Sequence, residues 1–172
     1  MISVLLVNQN KIPHYRVPIY GYLSEYLKER GYLLKVAATG IENAGPGEIN
    51  FEYIEIPLTL MRLLRLIKDA KIDIVMFWVN LKHLFLLPAC IILRLFLRKK
   101  VLYWGHGRDL LDTEAKIKNV GYIFQQMLSN AIILYAEHLK KYIPKFLHKK
   151  VFIANNTLYF NNNTCNRTFV FI

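Results

Sequence analysis

Apolar residues follow two rhythms along this chain. Ile2 to Val7, Tyr32 to Ala38, Ile72 to Val79, Lys99 to Tyr103, Ala131 to Tyr135 and Lys150 to Ala154 are short, mostly apolar segments, some entered or interrupted by a charge. Such runs read as strands buried on both faces, as inside a parallel sheet. Phe51 to Ile56 alternates instead and reads as a strand nearer an edge, stopped by Pro57. Between the runs the spacing turns helical. From Ile19 onward, Leu23, Tyr26 and Leu27 share a face with Ile19 and Tyr20, and Gly31 ends the helix. Further helices are predicted over Leu58 to Ala70 and from about Leu81 to Leu97, the latter kinked or reset at Pro88. Another covers Thr113 to Ser129, with Ile117, Val120, Phe124 and Leu128 on one side. A short helix from Ala136 to Tyr142 stops at Pro144. Strand and helix alternate, which predicts an α/β fold: a mostly parallel sheet with helices on both faces.

The last residues break the pattern. Tyr159 to Arg167 is Asn-rich and has no period, and Thr168 to Ile172 has the composition of a strand with nothing after it. The expected organisation is one domain over 1–158 and a linker or aberrant tail over 159–172. The abrupt apolar finish points to a truncated or frameshifted reading frame.

At 172 residues the chain holds one α/β domain and hardly two. A net charge of +11 points to anionic partners. Many of the cations are interleaved with Leu, Ile and Phe, as in Met61 to Lys68. This pattern favours an anionic membrane surface or acidic lipid-linked substrate over a merely solvated basic face. Nucleic acid is disfavoured, because Tyr and Phe fall mostly at core periodicity rather than along an exposed basic stripe. Cys90 sits among apolar residues and reads as core, and neither it nor Cys165 belongs to a disulfide framework or a metal motif. A reducing cytoplasm fits that usage, and Met1 to Val7 lacks the features of a signal peptide. The longest apolar stretch, Leu84 to Leu93, has ten residues before Arg94, against about 20 for a membrane span.

Candidate chemistry gathers after the strands. In an open parallel sheet, ligands bind at the carboxyl ends of the strands. Val101 to Trp104 runs into Gly105, His106, Gly107, Arg108 and Asp109. An imidazole there can take or donate a proton near neutral pH, or hold a substrate hydroxyl. The two glycines allow close backbone approach, and Arg108 can bind an anion. Asp109 and Asp112 read as turn or helix-cap residues. After the first strand comes a long polar loop in which Tyr15 and Arg16 are candidate ligand contacts. Asn80 after the fourth strand could meet a sugar hydroxyl, and Glu137 follows the sixth strand at the same edge. No dinucleotide fingerprint or phosphate-loop motif follows the first strand, and His14, His83 and His148 are too scattered for a metal cage.

Several segments in this order resemble one family. These are Tyr15-Arg16 with Tyr22-Leu23 and Gly31-Tyr32, Asp73-Ile74-Val75, Trp104-Gly105-His106-Gly107, and Lys150 to Thr157. Over residues 2 to 158 the chain resembles the N-terminal, Rossmann-like half of a GT-B fold glycosyltransferase. The nearest group is the retaining one often called family 4, which serves surface polysaccharide assembly. The resemblance implies that this half binds the acceptor, with His106 beside the transferred sugar and the acceptor hydroxyl, and Arg16 at a phosphate or the acceptor. It implies metal-independent chemistry with no cofactor beyond a nucleotide-sugar co-substrate. It further implies a sugar or lipid-linked saccharide acceptor and a place on the inner face of the cell membrane.

The first loop departs from the family in lacking its common Gly-Gly. The donor half is missing from this sequence, and with it the two glutamates and the basic residue expected around the donor. Transfer needs charge stabilisation on the departing diphosphate, so little or no activity is expected from this chain alone. The alternatives are a non-catalytic partner subunit of a split glycosyltransferase, joined by a separate donor-domain chain, and an unrelated Rossmann-like ligand-binding domain.

Overall fold

The computed structural model describes residues 1–42, 49–78, 85–108 and 116–154, together with 158–159 and 168–169. A seven-stranded sheet runs in the order β3-β2-β1-β4-β5-β6-β7. Its strands are β1 (Ile2–Asn8), β2 (Tyr32–Ala38), β3 (Glu52–Glu55), β4 (Ile74–Trp78), β5 (Lys100–Gly105), β6 (Ala131–Leu134) and β7 (Val151–Ile153). Every pairing is parallel. The central strands explain this arrangement: β1 is buried from Ser3 to Asn8, so it needs cover on both faces. Helices α1 (Val17–Lys28), α2 (Leu60–Asp69), α3 (Leu86–Ile91) and α4 (Lys116–Leu128) supply it. Leu6, Val36 and Met76 meet Ile19 and Tyr20 of α1 in one core. Leu5, Val75 and Phe77 meet Leu63 and Ile67 of α2 and Ala89 and Cys90 of α3 in the other.

The sheet reverses direction of growth beside β1, with β2 on one side and β4 on the other. In open parallel sheets the ligand crevice lies beside such a reversal, which here falls at the carboxyl ends of β1 and β4. Asn8, Trp78 and Trp104 are register partners across β1, β4 and β5, so they stand in one row at that edge. At the opposite edge, the Asp73 carboxylate accepts the Ser3 N–H at 2.9 Å, tying the entry of β4 to β1.

Three sequence expectations change. Of the expected face of α4, Leu128 packs against the α2–α3 core but Val120 and Phe124 are 65% and 41% exposed, and Tyr122, Gln125 and Gln126 are the helix's buried residues among the described side chains. The Gln125 amide donates to the Cys90 sulfur of α3 at 3.4 Å and Gln126 reaches the backbone after β5, so polar pairing sets the helix rotation. Tyr26 of α1 faces solvent and carries the Arg30 guanidinium 3.6 Å from its ring centre. Pro88 causes no break, because it lies in the first turn of α3, where its missing N–H has no helical carbonyl to serve. The irregularity comes later, as a π turn over Ile92–Phe96. Near the end of the chain, Leu158–Tyr159 and Thr168–Phe169 pair antiparallel.

Candidate functional site

Arg16 ends a short 3₁₀ turn, His14–Arg16, at the start of α1. Asn8 shapes the loop before it, donating to the carbonyls of Asn10 and Lys11 at 2.9 and 3.2 Å. The Asn8 side-chain oxygen in turn accepts the Tyr20 hydroxyl at 3.3 Å. Arg16 is thereby carried inward until it is only 8% exposed. Its guanidinium lies 3.3 Å from the centre of the Trp78 ring and donates to the phenolic oxygens of Tyr20 and Tyr135, each at 3.5 Å. Among the described residues its polar partners are neutral phenols. Burial opposes the guanidinium's charge, and Tyr135, Tyr20 and Tyr15 together outweigh it, so the charge stays. Burial also lifts the phenols of Tyr20 and Tyr135, the latter to about 12, against the pull of Arg16, so both remain protonated.

His106 follows β5 directly. Its ring packs on Tyr135, centroid to centroid 4.6 Å. Burial, and then the charge of Arg16, hold its imidazole below the ordinary histidine range. The ring is therefore neutral at pH 7 and has a free lone pair to accept a proton. The turn behind it is pinned from two sides. Gly107 donates its N–H to the Tyr103 hydroxyl at 3.1 Å and accepts the Gln126 amide at 2.7 Å. Gly107 has φ +87°, and a Cβ there would sit 3.0 Å from Ile143 Cδ1. A Cβ on Gly105 would sit 3.0 Å from the Tyr103 hydroxyl. Both glycines thus make room for the protein's own packing as well as for close approach.

Of the residues singled out from sequence, Arg16, Gly105, Gly107 and His106 come together at the crevice. Tyr15 stands at its outer side, 52% exposed, with its ring centre 5.8 Å from the Arg16 guanidinium. Arg108 stacks 4.0 Å from the centre of the Tyr142 ring, and its Nε is buried without a hydrogen-bond partner. Glu137 is exposed and pairs with Lys140 at 3.5 Å, a surface contact worth little. Asn80, Asp109 and Asp112 lie outside the described residues.

Sequence reading missed Trp78, Trp104 and Tyr135. All three are aromatic residues with a polar tip at or just beyond the end of a parallel strand, and that placement was the available signal. Trp104 is buried, its ring lies against Tyr135 at 5.9 Å, and its indole N–H has no hydrogen-bond partner. The cluster therefore holds donors, namely Arg16 and the buried Trp104 N–H, beside a neutral imidazole. Such a set suits an oxygen-rich ligand whose hydroxyl is to lose a proton. Among the described residues, no group of His, Cys, Asp and Glu is placed to hold a metal ion.

No protein-family model and no curated protein matches the sequence. Solved structures do match in fold. MurG from Acinetobacter baumannii superposes with a TM-score of 0.58 at 14% identity, over 95% of this chain and 48% of its own. WaaG, a glycosyltransferase involved in lipopolysaccharide biosynthesis, gives 0.52 at 11% identity, over 91% and 45%. A UDP-GlcNAc 2-epimerase from Neisseria meningitidis, solved bound to UDP-GlcNAc, gives 0.55 at 14% identity, over 89% and 46%. The chain thus spans less than half the length of these proteins. Its fold is the Rossmann-like half of the GT-B architecture.

Proposed function

We propose that this chain is the acceptor-binding half of a glycosyltransferase that moves a sugar from a nucleotide-sugar to a polysaccharide or lipid-linked acceptor at the membrane's inner face. One observation carries the reading: a neutral imidazole, His106, sits beside the buried charge of Arg16 at the crevice where the sheet reverses. His106 accepts or steers the proton of the acceptor hydroxyl. Arg16 and the Trp104 N–H hold acceptor oxygens, and Tyr15 covers the sugar's outer face. Transfer also requires the acceptor to be held against an activated anomeric carbon. In this reading a separate donor domain supplies that carbon and the charge stabilisation for its leaving diphosphate, so the chain alone is inactive.

Saturation-transfer NMR of the full chain with surface-glycan fragments tests the binding half of the proposal. Glycan signals that saturate with wild type and fade at least about tenfold in affinity with Arg16→Met are expected. Equal binding by both proteins would remove Arg16 from the site.

A further inference from the structure

Arg16 carries a charge that no described residue balances. Its side chain is buried, yet the guanidinium meets only phenols, at 3.5 Å, and the face of Trp78. Tyr20 and Tyr135 stay protonated and cannot take up the charge. The described carboxylates are engaged elsewhere or stand on the surface. Glu29, Glu52 and Glu137 pair with Arg30, Lys35 and Lys140. Glu55 accepts the Tyr53 hydroxyl, Asp73 accepts the Ser3 N–H, and Glu25, Glu42 and Asp69 are exposed. A buried cation without a counter-anion costs free energy, and stacking on an indole offsets part of it. A side chain packed there for volume alone would be apolar.

The cation is within reach of a ligand. Tyr15 and His106 are both exposed. The Tyr15 ring centre lies 5.8 Å from the guanidinium, and His106 packs on Tyr135, a phenol to which Arg16 donates. Trp78 occupies one face of the guanidinium, so a ligand lying across Tyr15 and His106 meets its donor edge.

We propose, resting on the transferase reading, that the acceptor is itself acidic: a saccharide carrying one singly charged oxyanion, a uronate carboxylate or a phosphodiester, that pairs with Arg16. One buried guanidinium balances one negative charge. A phosphate monoester or a diphosphate would leave net negative charge among aromatic rings. The alternative is to draw a proton onto His106, which removes the base that transfer needs. The planar guanidinium fork fits two oxygens of either monoanion. The pairing also ties recognition to chemistry. Arg16 is the described charge that acts on His106, adding to burial in favouring the neutral ring. An oxyanion on Arg16 cancels that pull, so the imidazole becomes a stronger base once an acidic acceptor is in place.

NMR titration of the full chain with methyl glucuronide, methyl glucoside and a glucosyl methyl phosphodiester tests this. At least one charged probe should bind at least about tenfold tighter than the glucoside, and the tighter of the two identifies the source of the charge. Its binding should raise the His106 midpoint more than the glucoside does. Arg16→Met should cut the preference to below about twofold, while Arg16→Lys, which keeps the charge and loses the fork, should retain part of it. A glucoside that binds as tightly as both charged probes would overturn the acidic acceptor and leave the transferase reading standing. A charge preference that persists in Arg16→Met would overturn it by moving the anion to another cation. Uridine diphosphate that binds Arg16 more tightly than either charged probe would overturn it by giving the cation to a donor. No binding by any of the three sugars would overturn both claims. Full-rate transfer without His106, with the charge preference intact, would overturn the transferase reading alone.

Discussion

His106 lies next to a buried cation, and that neighbour bears on its protonation. Burial first and Arg16 second favour the neutral ring. The folded chain therefore binds this proton less readily than the unfolded one, whose histidine titrates near pH 6.5. Stability linked to His106 is present above that pH and is lost as pH falls toward the lower folded value. An NMR titration of the ring should give a midpoint below 6.5, and Arg16→Met should move it upward without fully restoring it, because burial remains. A midpoint at or above 6.5 in wild type would contradict the assigned electrostatics. Gly107 offers a second test at this scale. Gly107→Ala must hold φ +87° and press on Ile143, which should cost about 1–2 kcal/mol in a urea melt. An unchanged midpoint would mean that the turn has another conformation open to it.

Among the elements, α4 separates what a period can reveal from what it cannot. Its apolar spacing put Val120 and Phe124 on one side with Leu128, yet only Leu128 of these packs on the core and the helix turns Tyr122, Gln125 and Gln126 to the interior. A hydrophobic pattern assigns faces by transfer free energy. It cannot see that Gln126 has a backbone carbonyl to meet at Gly107, or that Gln125 has Cys90 on α3. Phe124→Ser should therefore shift stability by less than about 0.5 kcal/mol, while Tyr122→Ala should cost about 3 kcal/mol or more. Denaturation of both variants checks the helix rotation, and the reverse order would restore the sequence-based face. The strands were far more legible, because a fully buried parallel strand leaves a continuous apolar run whatever its neighbours do. β1, β2, β4, β5, β6 and β7 all fall within or next to their apolar runs. In the site, His106 and Arg16 announced themselves as polar residues after apolar runs. Trp78, Trp104 and Tyr135 did not, since an aromatic residue ending an apolar run looks like one more core position until the register aligns it with its neighbours.

At the scale of the whole molecule, the polarity of the parallel sheet separates two surfaces. One edge gathers neutral aromatic rings around the buried charge of Arg16, and the other gathers exposed cations and aliphatic side chains. The chain spans less than half the length of the proteins it resembles in fold, and the described residues of its crevice offer donors and a proton acceptor. The central claim is that this crevice positions an acceptor and depends on a second, donor-binding domain. Its most direct test is the transfer of labelled sugar from nucleotide-sugars to membrane-extracted acceptors. The assay compares this chain alone with this chain mixed with the product of the adjacent downstream reading frame, each with and without His106→Ala. The account predicts incorporation only in the mixture, falling at least about a hundredfold with His106→Ala. Incorporation by this chain unaided, or by the mixture at full rate without the imidazole, would contradict it.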